Sequence, residues 1–214
     1  GAFAGVYGIN NVSPGDVERH RYEVGCGKIK TMTAVIPEGC AQLAERPLKE
    51  VVKTLTFNLN PDTLLVYSSN PGSVIDIEQV KEIKAVSNTP VFASNGVKVE
   101  TVEEILSVCD GCIVATGIKV DGEFYNQVDV TRVRQLKVER KTWLSDVIGT
   151  EKAAIGVVHF KAFPSDPLYD AEGGLEAIVD AARKDLLALQ NGGIDAVLFS
   201  NEFSFPYEPK PALE

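Results

Sequence analysis

Long apolar runs are missing from this chain of 214 residues, and with them any stretch that reaches the roughly 20 apolar residues of a membrane span. The opening GAFAGVYGINN lacks the basic start and apolar centre of a secretory leader, so the expectation is a cytoplasmic protein with no membrane partner. Basic residues are in the minority, 21 Lys and Arg against 30 Asp and Glu, for a formal charge of −9. With no cationic surplus to neutralise a polyanion, nucleic acid is set aside as a partner, while a local phosphate site stays open. Cysteine is scarce too. Of Cys26, Cys40, Cys109 and Cys112 only the last two stand at CxxC spacing, and no second CxxC or CxxH completes a zinc site. That pair falls where a helix ends in Asp-Gly and an apolar strand begins, so the expectation is reduced, mostly buried thiols and no metal site.

What is present is alternation. A hydrophobic content of 44% is enough for a substantial core. Strand-like apolar runs stand at about 28–36, 63–67, 90–93, 112–115, 153–159 and 194–200, and helical patterns lie between them. Residues 1–13 read as a Gly- and Asn-rich loop. Ser13-Pro14 opens a short helix, VERHRYEVG. Leu48, Val51, Val52, Leu55 and Leu59 mark one apolar face of a helix over 48–59, and Asp76 opens another. A long helix is expected over 130–147, carrying Trp143, and a strongly periodic one over 174–190, stopped by Asn191-Gly192-Gly193. The strands are continuously apolar rather than alternating, which argues for a parallel sheet covered by helices. A closed (β/α)8 barrel needs eight such strands, and six are counted here.

The stretch 90–123, PVFASNGVKVETVEEILSVCDGCIVATGIKVDGE, reads as strand, Gly loop, helix, strand and Gly loop. Ser94-Asn95-Gly96 follows the first strand and Thr116-Gly117 the second. Thr101, with Glu104 three residues on, is a candidate capping box. Two consecutive strands ending this way match the phosphate cup formed by the last two strand ends of a (β/α)8 barrel; the alternative is two tight βα turns. Inorganic phosphate or sulfate is therefore expected at backbone N–H groups near Asn95-Gly96 and Thr116-Gly117.

From 141 onward, TWLSDVIGTEKAAIGVVHFKAFPSDPLYD and DLLALQNGGIDAVLFSNEFSFPY resemble the amino-terminal region of the BtpA family, the photosystem I biogenesis protein-like TIM barrels, and most closely its bacterial sugar-operon branch. GAFAGVYGINN, VIPEG, SNGV, ATGIKVDG and VDVTRVR, all within 1–140, resemble the carboxy-terminal part of the same family. The resemblance implies an α/β, TIM-barrel-like fold of ribulose-phosphate-binding type, circularly permuted and incomplete, with six of eight βα units. Residues 1–140 would carry family strands 5–8 and residues 141–214 family strands 1–2, together one domain. The units absent near the chain ends would leave open edges beside the strands that begin near Lys28 and Ile194. A second copy pairing across the gap, a rearranged sheet, or a segment beyond this sequence would close them, and the first makes a homo-oligomer the expectation.

In such a barrel chemistry sits at the C-terminal strand ends. His159 ends an apolar strand and reads as a general base, a ligand donor or a plain core residue; the resemblance favours function. Asn201 and Glu202 follow a buried strand directly and place an amide and an acid at the mouth. Many family members carry Gly-Asp shortly after that Asn, where this chain has Phe203-Ser204, so a role for that second acid does not carry over. Glu38 is a second mouth carboxylate or a solvated loop acid. Lys119 neutralises a phosphate or is a surface lysine, and His20 is a surface residue. The catalytic candidates are thus His159, Glu202 and Asn201, and the phosphate candidates are Ser94, Asn95, Gly96, Thr116, Gly117 and Lys119. These suit isomerisation, epimerisation or aldol cleavage of a phosphorylated small molecule in sugar metabolism. The alternative readings are a non-catalytic assembly or stability factor, or a permuted barrel without activity. No residue pattern names a cofactor.

Overall fold

Strands form in this chain where apolar residues run without interruption, because a strand covered on both faces has no solvent side to supply alternation. The computed structural model describes residues 3–5, 8–10, 13–70, 73–136, 153–164 and 166–204. The helix expected past Leu136 with Trp143, the join near 140–141, Gly1 and the tail after Tyr207 lie outside the described residues. Contacts divide the chain into two compact units, Gly1–Val97 with Thr101–Cys112, and Lys98–Glu100 with Ile113–Glu214.

In the first unit, β3 (Met32–Ala34), β5 (Thr63–Val66), β6 (Val91–Ala93) and the start of β7 (Gly111–Val114) lie side by side in that order. The pairing is parallel, with Thr33 opposite Leu64, Leu65 opposite Phe92 and Ala93 opposite Cys112. Helices α1 (Pro14–Glu23), α2 (Leu48–Leu59), α3 (Ile77–Lys84) and α4 (Val102–Val108) intervene. Val52, Leu64, Val80, Ile83, Val91 and Ile105 are wholly buried, each contributing roughly 1.5–3 kcal/mol relative to exposure. α3 starts on Asp76, whose carboxylate accepts from the Glu78 and Gln79 backbone N–H groups.

Several local expectations change here. The 28–36 strand contracts to β3 because the backbone at 27–29 is held by a side chain, and at Thr31 a side chain takes the N–H while the carbonyl still accepts from Asp62 and Thr63. The Arg21 guanidinium donates to the carbonyls of Gly27 (3.1 Å) and Ile29, and the Thr31 N–H donates to Asp62 (2.8 Å). The expected loop over 1–13 contains β1 (Phe3–Gly5) and β2 (Gly8–Asn10), an antiparallel hairpin that β1 extends to β4 (Cys40–Gln42). Three-residue strands are too short to show a period. Thr101 forms no cap bond: its backbone is helical (φ −111, ψ −13), whereas an N-cap hydroxyl needs an extended residue to reach the free amides. That hydroxyl donates instead to the Gly96 carbonyl at 3.3 Å.

In the second unit, β7 is followed by α5 (Val130–Leu136), β8 (Ala153–His159), α6 (Gly174–Gly192) and β9 (Ala196–Ser200). β8 and β9 are parallel and in register from Ile155 opposite Ala196 to His159 opposite Ser200. All seven residues of β8 are buried. β9 is the edge strand among the described residues and leaves Leu198 and Phe199 exposed. α6 packs on β8 and α5, and ends at Gly193, whose φ of +81 only glycine adopts without strain. Strand, covering helix and parallel return strand thus recur, the (β/α) construction of a TIM barrel, with six parallel strands among the described residues.

Candidate active site

A parallel sheet presents all its C-terminal strand ends on one side, so the register of β8 and β9 decides what meets there. His159 is the last residue of β8 and lies level with Ser200, which brings Asn201 and Glu202 to the same end. Asn201 is exposed and Glu202 half-buried, its carboxylate accepting from the Ser200 hydroxyl at 3.4 Å. The chain then turns, with the Ser204 N–H donating to the Asn201 carbonyl at 2.9 Å. This turn lays the Phe203 ring against the His159 imidazole, centroids 5.7 Å apart. Phe124 packs on the same imidazole at 5.1 Å and on Phe203 at 5.2 Å, and Tyr125 stacks on Phe203 from the solvent side.

Lys119 is brought in by the loop after β7. Thr116–Ile118 form a single 3-10 turn closed by the Lys119 N–H on the Thr116 carbonyl. The chain then doubles back, with Lys119 bridged to Val128 and the Val120 N–H donating to the Gln127 carbonyl. The Lys119 side chain is 1% exposed, so it is no surface lysine. Its Nζ donates to the Phe124 carbonyl at 2.6 Å and lies 5.2 Å and 5.5 Å from the Phe124 and Phe203 ring centres. Asp185, buried on α6, accepts from the Val128 N–H at 2.9 Å and so ties this hairpin to the helix. Gly117 is buried, and its carbonyl accepts from Arg132 at 3.5 Å; Thr116 is half-buried.

Burial disfavours charge in this cluster. It lowers the Lys119 pKa, against the opposing pull of Asp185. Burial first, and the Lys119 charge second, push His159 down to about 4, so the imidazole is neutral at physiological pH. A neutral imidazole has one donor and one acceptor nitrogen. Among the described residues neither nitrogen of His159 has a hydrogen-bond partner, and neither does the buried Ser204 hydroxyl. Buried polar groups are nearly always paired within a finished fold, so the two ring nitrogens of His159 and the Ser204 hydroxyl are candidates for contact with a ligand.

The first unit holds its own polar cluster at strand ends. Asn95, after β6, accepts from the Ser68 N–H at 2.7 Å and donates to Glu38 at 2.5 Å, so Glu38 is tied to a neighbouring loop. Gly96 has φ +69, and a Cβ there would stand 1.9 Å from the Ser73 carbonyl oxygen. The Ser94 N–H is taken by the Val66 carbonyl. The phosphate candidates therefore divide, Ser94, Asn95 and Gly96 belonging to the first unit and Thr116, Gly117 and Lys119 to the second. Phe124, Ser204 and Asp185 escaped sequence reasoning. The available signal was an aromatic residue on each of two turns that follow strand ends.

A sequence profile of the BtpA family matches residues 1–141 and 150–214. The "Putative sgc region protein SgcQ" of Escherichia coli K12 is 39% identical over 136 residues, covering 63% of this chain and 51% of that protein. "Uncharacterized protein MJ1115" of Methanocaldococcus jannaschii is 29% identical over 75 residues, 35% of this chain and 29% of that protein. The chain thus spans about half the length of SgcQ or less of these curated relatives. Among solved structures, the "Crystal structure of a putative phosphonomutase from Burkholderia cenocepacia J2315" superimposes with a TM-score of 0.51 at 15% identity, over 87% of this chain and 74% of that one. That likeness is one of fold.

Proposed function

The chain belongs to the BtpA family, and from that premise we propose that it serves a barrel enzyme acting on a phosphorylated sugar, by proton transfer beside a carbonyl in isomerisation, epimerisation or aldol cleavage. The observation that carries the reading is His159: buried, neutral, at a C-terminal strand end, with both nitrogens unpartnered. An imidazole so placed takes a proton on its bare nitrogen from a bound substrate and returns it to an adjacent carbon. Glu202, oriented by Ser200, is a second proton carrier at the same end, and Asn201 donates to a substrate oxygen. Thr116, Gly117 and Lys119 hold the anionic end of the substrate.

The test is a thermal-shift panel of pentose and hexose phosphates, each against its unphosphorylated sugar, because ligands that bind only the native state raise Tm. A phosphorylated sugar that raises Tm is then incubated in deuterium oxide and followed by NMR for exchange at carbon. Exchange that disappears in His159→Gln is the expected result. A panel in which no phosphorylated sugar shifts Tm refutes the reading.

A further inference from the structure

We infer that Lys119, His159 and Ser204 form a side-chain subsite for an oxyanion, the phosphoryl group of the substrate or a substrate carboxylate. The inference rests on the sugar-phosphate reading and narrows it, seating the charged end of the substrate on three side chains of the second unit.

Lys119 is a buried cation with no carboxylate within ion-pair distance of its Nζ among the described residues. Burying a charge without a counter-charge is unfavourable, and a fold rarely leaves it uncompensated. An ammonium carries three N–H donors, and among the described residues the one acceptor of Lys119 is the neutral Phe124 carbonyl. Asp185 opposes the effect of burial on Lys119, but its carboxylate accepts from the Val128 N–H. The two rings that flank Nζ are the same two that flank the His159 imidazole, and Ser204 adjoins one of them in sequence. A cation and an imidazole N–H are thus unmatched around Phe124 and Phe203, and the buried, unpaired Ser204 hydroxyl follows Phe203 in the chain.

The missing partner has to bring negative charge for the ammonium and acceptor oxygens for the other two groups. A phosphoryl group or a carboxylate does both. A sugar hydroxyl supplies hydrogen bonds and leaves the charge unmatched, and a cation adds repulsion. The imidazole tautomer that donates to the anion keeps its other nitrogen bare, so binding and proton abstraction use different nitrogens of one ring.

The experiment uses the protein's two histidines, His159 in the cluster and exposed His20 as an internal reference. Ring resonances are followed by NMR while inorganic phosphate, or in a separate arm acetate, is added at constant ionic strength. The expected result is a saturable shift confined to His159, weakened at least about tenfold in Lys119→Met and retained in Lys119→Arg. Ser204→Ala weakens it less, by about three- to tenfold. Saturation by acetate at lower concentration than phosphate assigns the subsite to a carboxylate. An unmoved His159 resonance in the wild-type protein overturns the inference without any variant having to fold. If phosphorylated sugars still raise Tm in that case, the functional reading stands and the subsite lies elsewhere; if they do not, both fall.

Discussion

Acidification from pH 7 to pH 5 is expected to remove stability through His159, and a leucine in its place is expected to remove that part of the loss. The ordinary imidazole value of 6.5 is pushed down to about 4 in the folded chain, by burial first and by the Lys119 charge second. The folded state therefore favours the neutral ring, while the unfolded chain takes up a proton as pH falls. Such a contribution is fully present above pH 6.5 and is lost as pH drops toward 4. The difference between the two values corresponds to roughly 3 kcal/mol over the whole window, at about 1.4 kcal/mol per pH unit. Roughly 2 kcal/mol of it disappears between pH 7 and pH 5. The charged group facing the ring is Lys119, itself influenced by Asp185, with Glu202 on the neighbouring strand end. Carboxylates elsewhere titrate in the same range, so the comparison is between wild type and His159→Leu, by urea unfolding at pH 7, 6 and 5. Leucine has a similar volume and no polar atom to leave unpaired, so the variant should equal or exceed wild type at pH 5. A stability gap that stays the same at all three pH values, within about 0.5 kcal/mol, refutes the assignment of a neutral, buried His159.

Gly96→Ala should lower unfolding stability by about 2–3 kcal/mol, since its Cβ would meet the Ser73 carbonyl oxygen at 1.9 Å on a backbone of φ +69; a urea midpoint like wild type would contradict the loop geometry. Asp185→Ala leaves the buried Val128 N–H without its acceptor and removes the charge that supports Lys119, so a loss of about 1–3 kcal/mol is expected in the same assay. Asp76→Ala removes the cap of α3 and should cost about 1 kcal/mol, with an unchanged midpoint arguing against the cap. Of the four thiols, half-buried Cys26 and Cys40 should react rapidly with a disulfide reagent in the native state and buried Cys109 and Cys112 only on unfolding; four fast thiols would overturn the burial assignments.

Periodicity and uninterrupted apolar runs are local properties, and the elements they govern could be read directly from the chain. β6 over Val91–Ala93, β8 over Ala153–His159 and α2 over Leu48–Leu59 fall where the residues place them, because each is buried on a continuous face. Their alternation also implied parallel pairing, and parallel pairing implied that His159, Asn201 and Glu202 share one end, as the register of β8 with β9 shows. Short strands, caps and side-chain partners depend on something else. β1 and β4 pair across more than thirty positions, and Asn95 meets Glu38 across 57, so nothing adjacent in sequence announces either contact. From the sequence Lys119 reads equally as a phosphate ligand and as a surface lysine. Only the folded chain, by closing the Lys119–Val128 bridge and laying Phe124 and Phe203 over the ammonium, turns that lysine inward. Burial is a property of what other segments do, and it alone makes an ordinary lysine and histidine into an unmatched charge beside an unpaired ring.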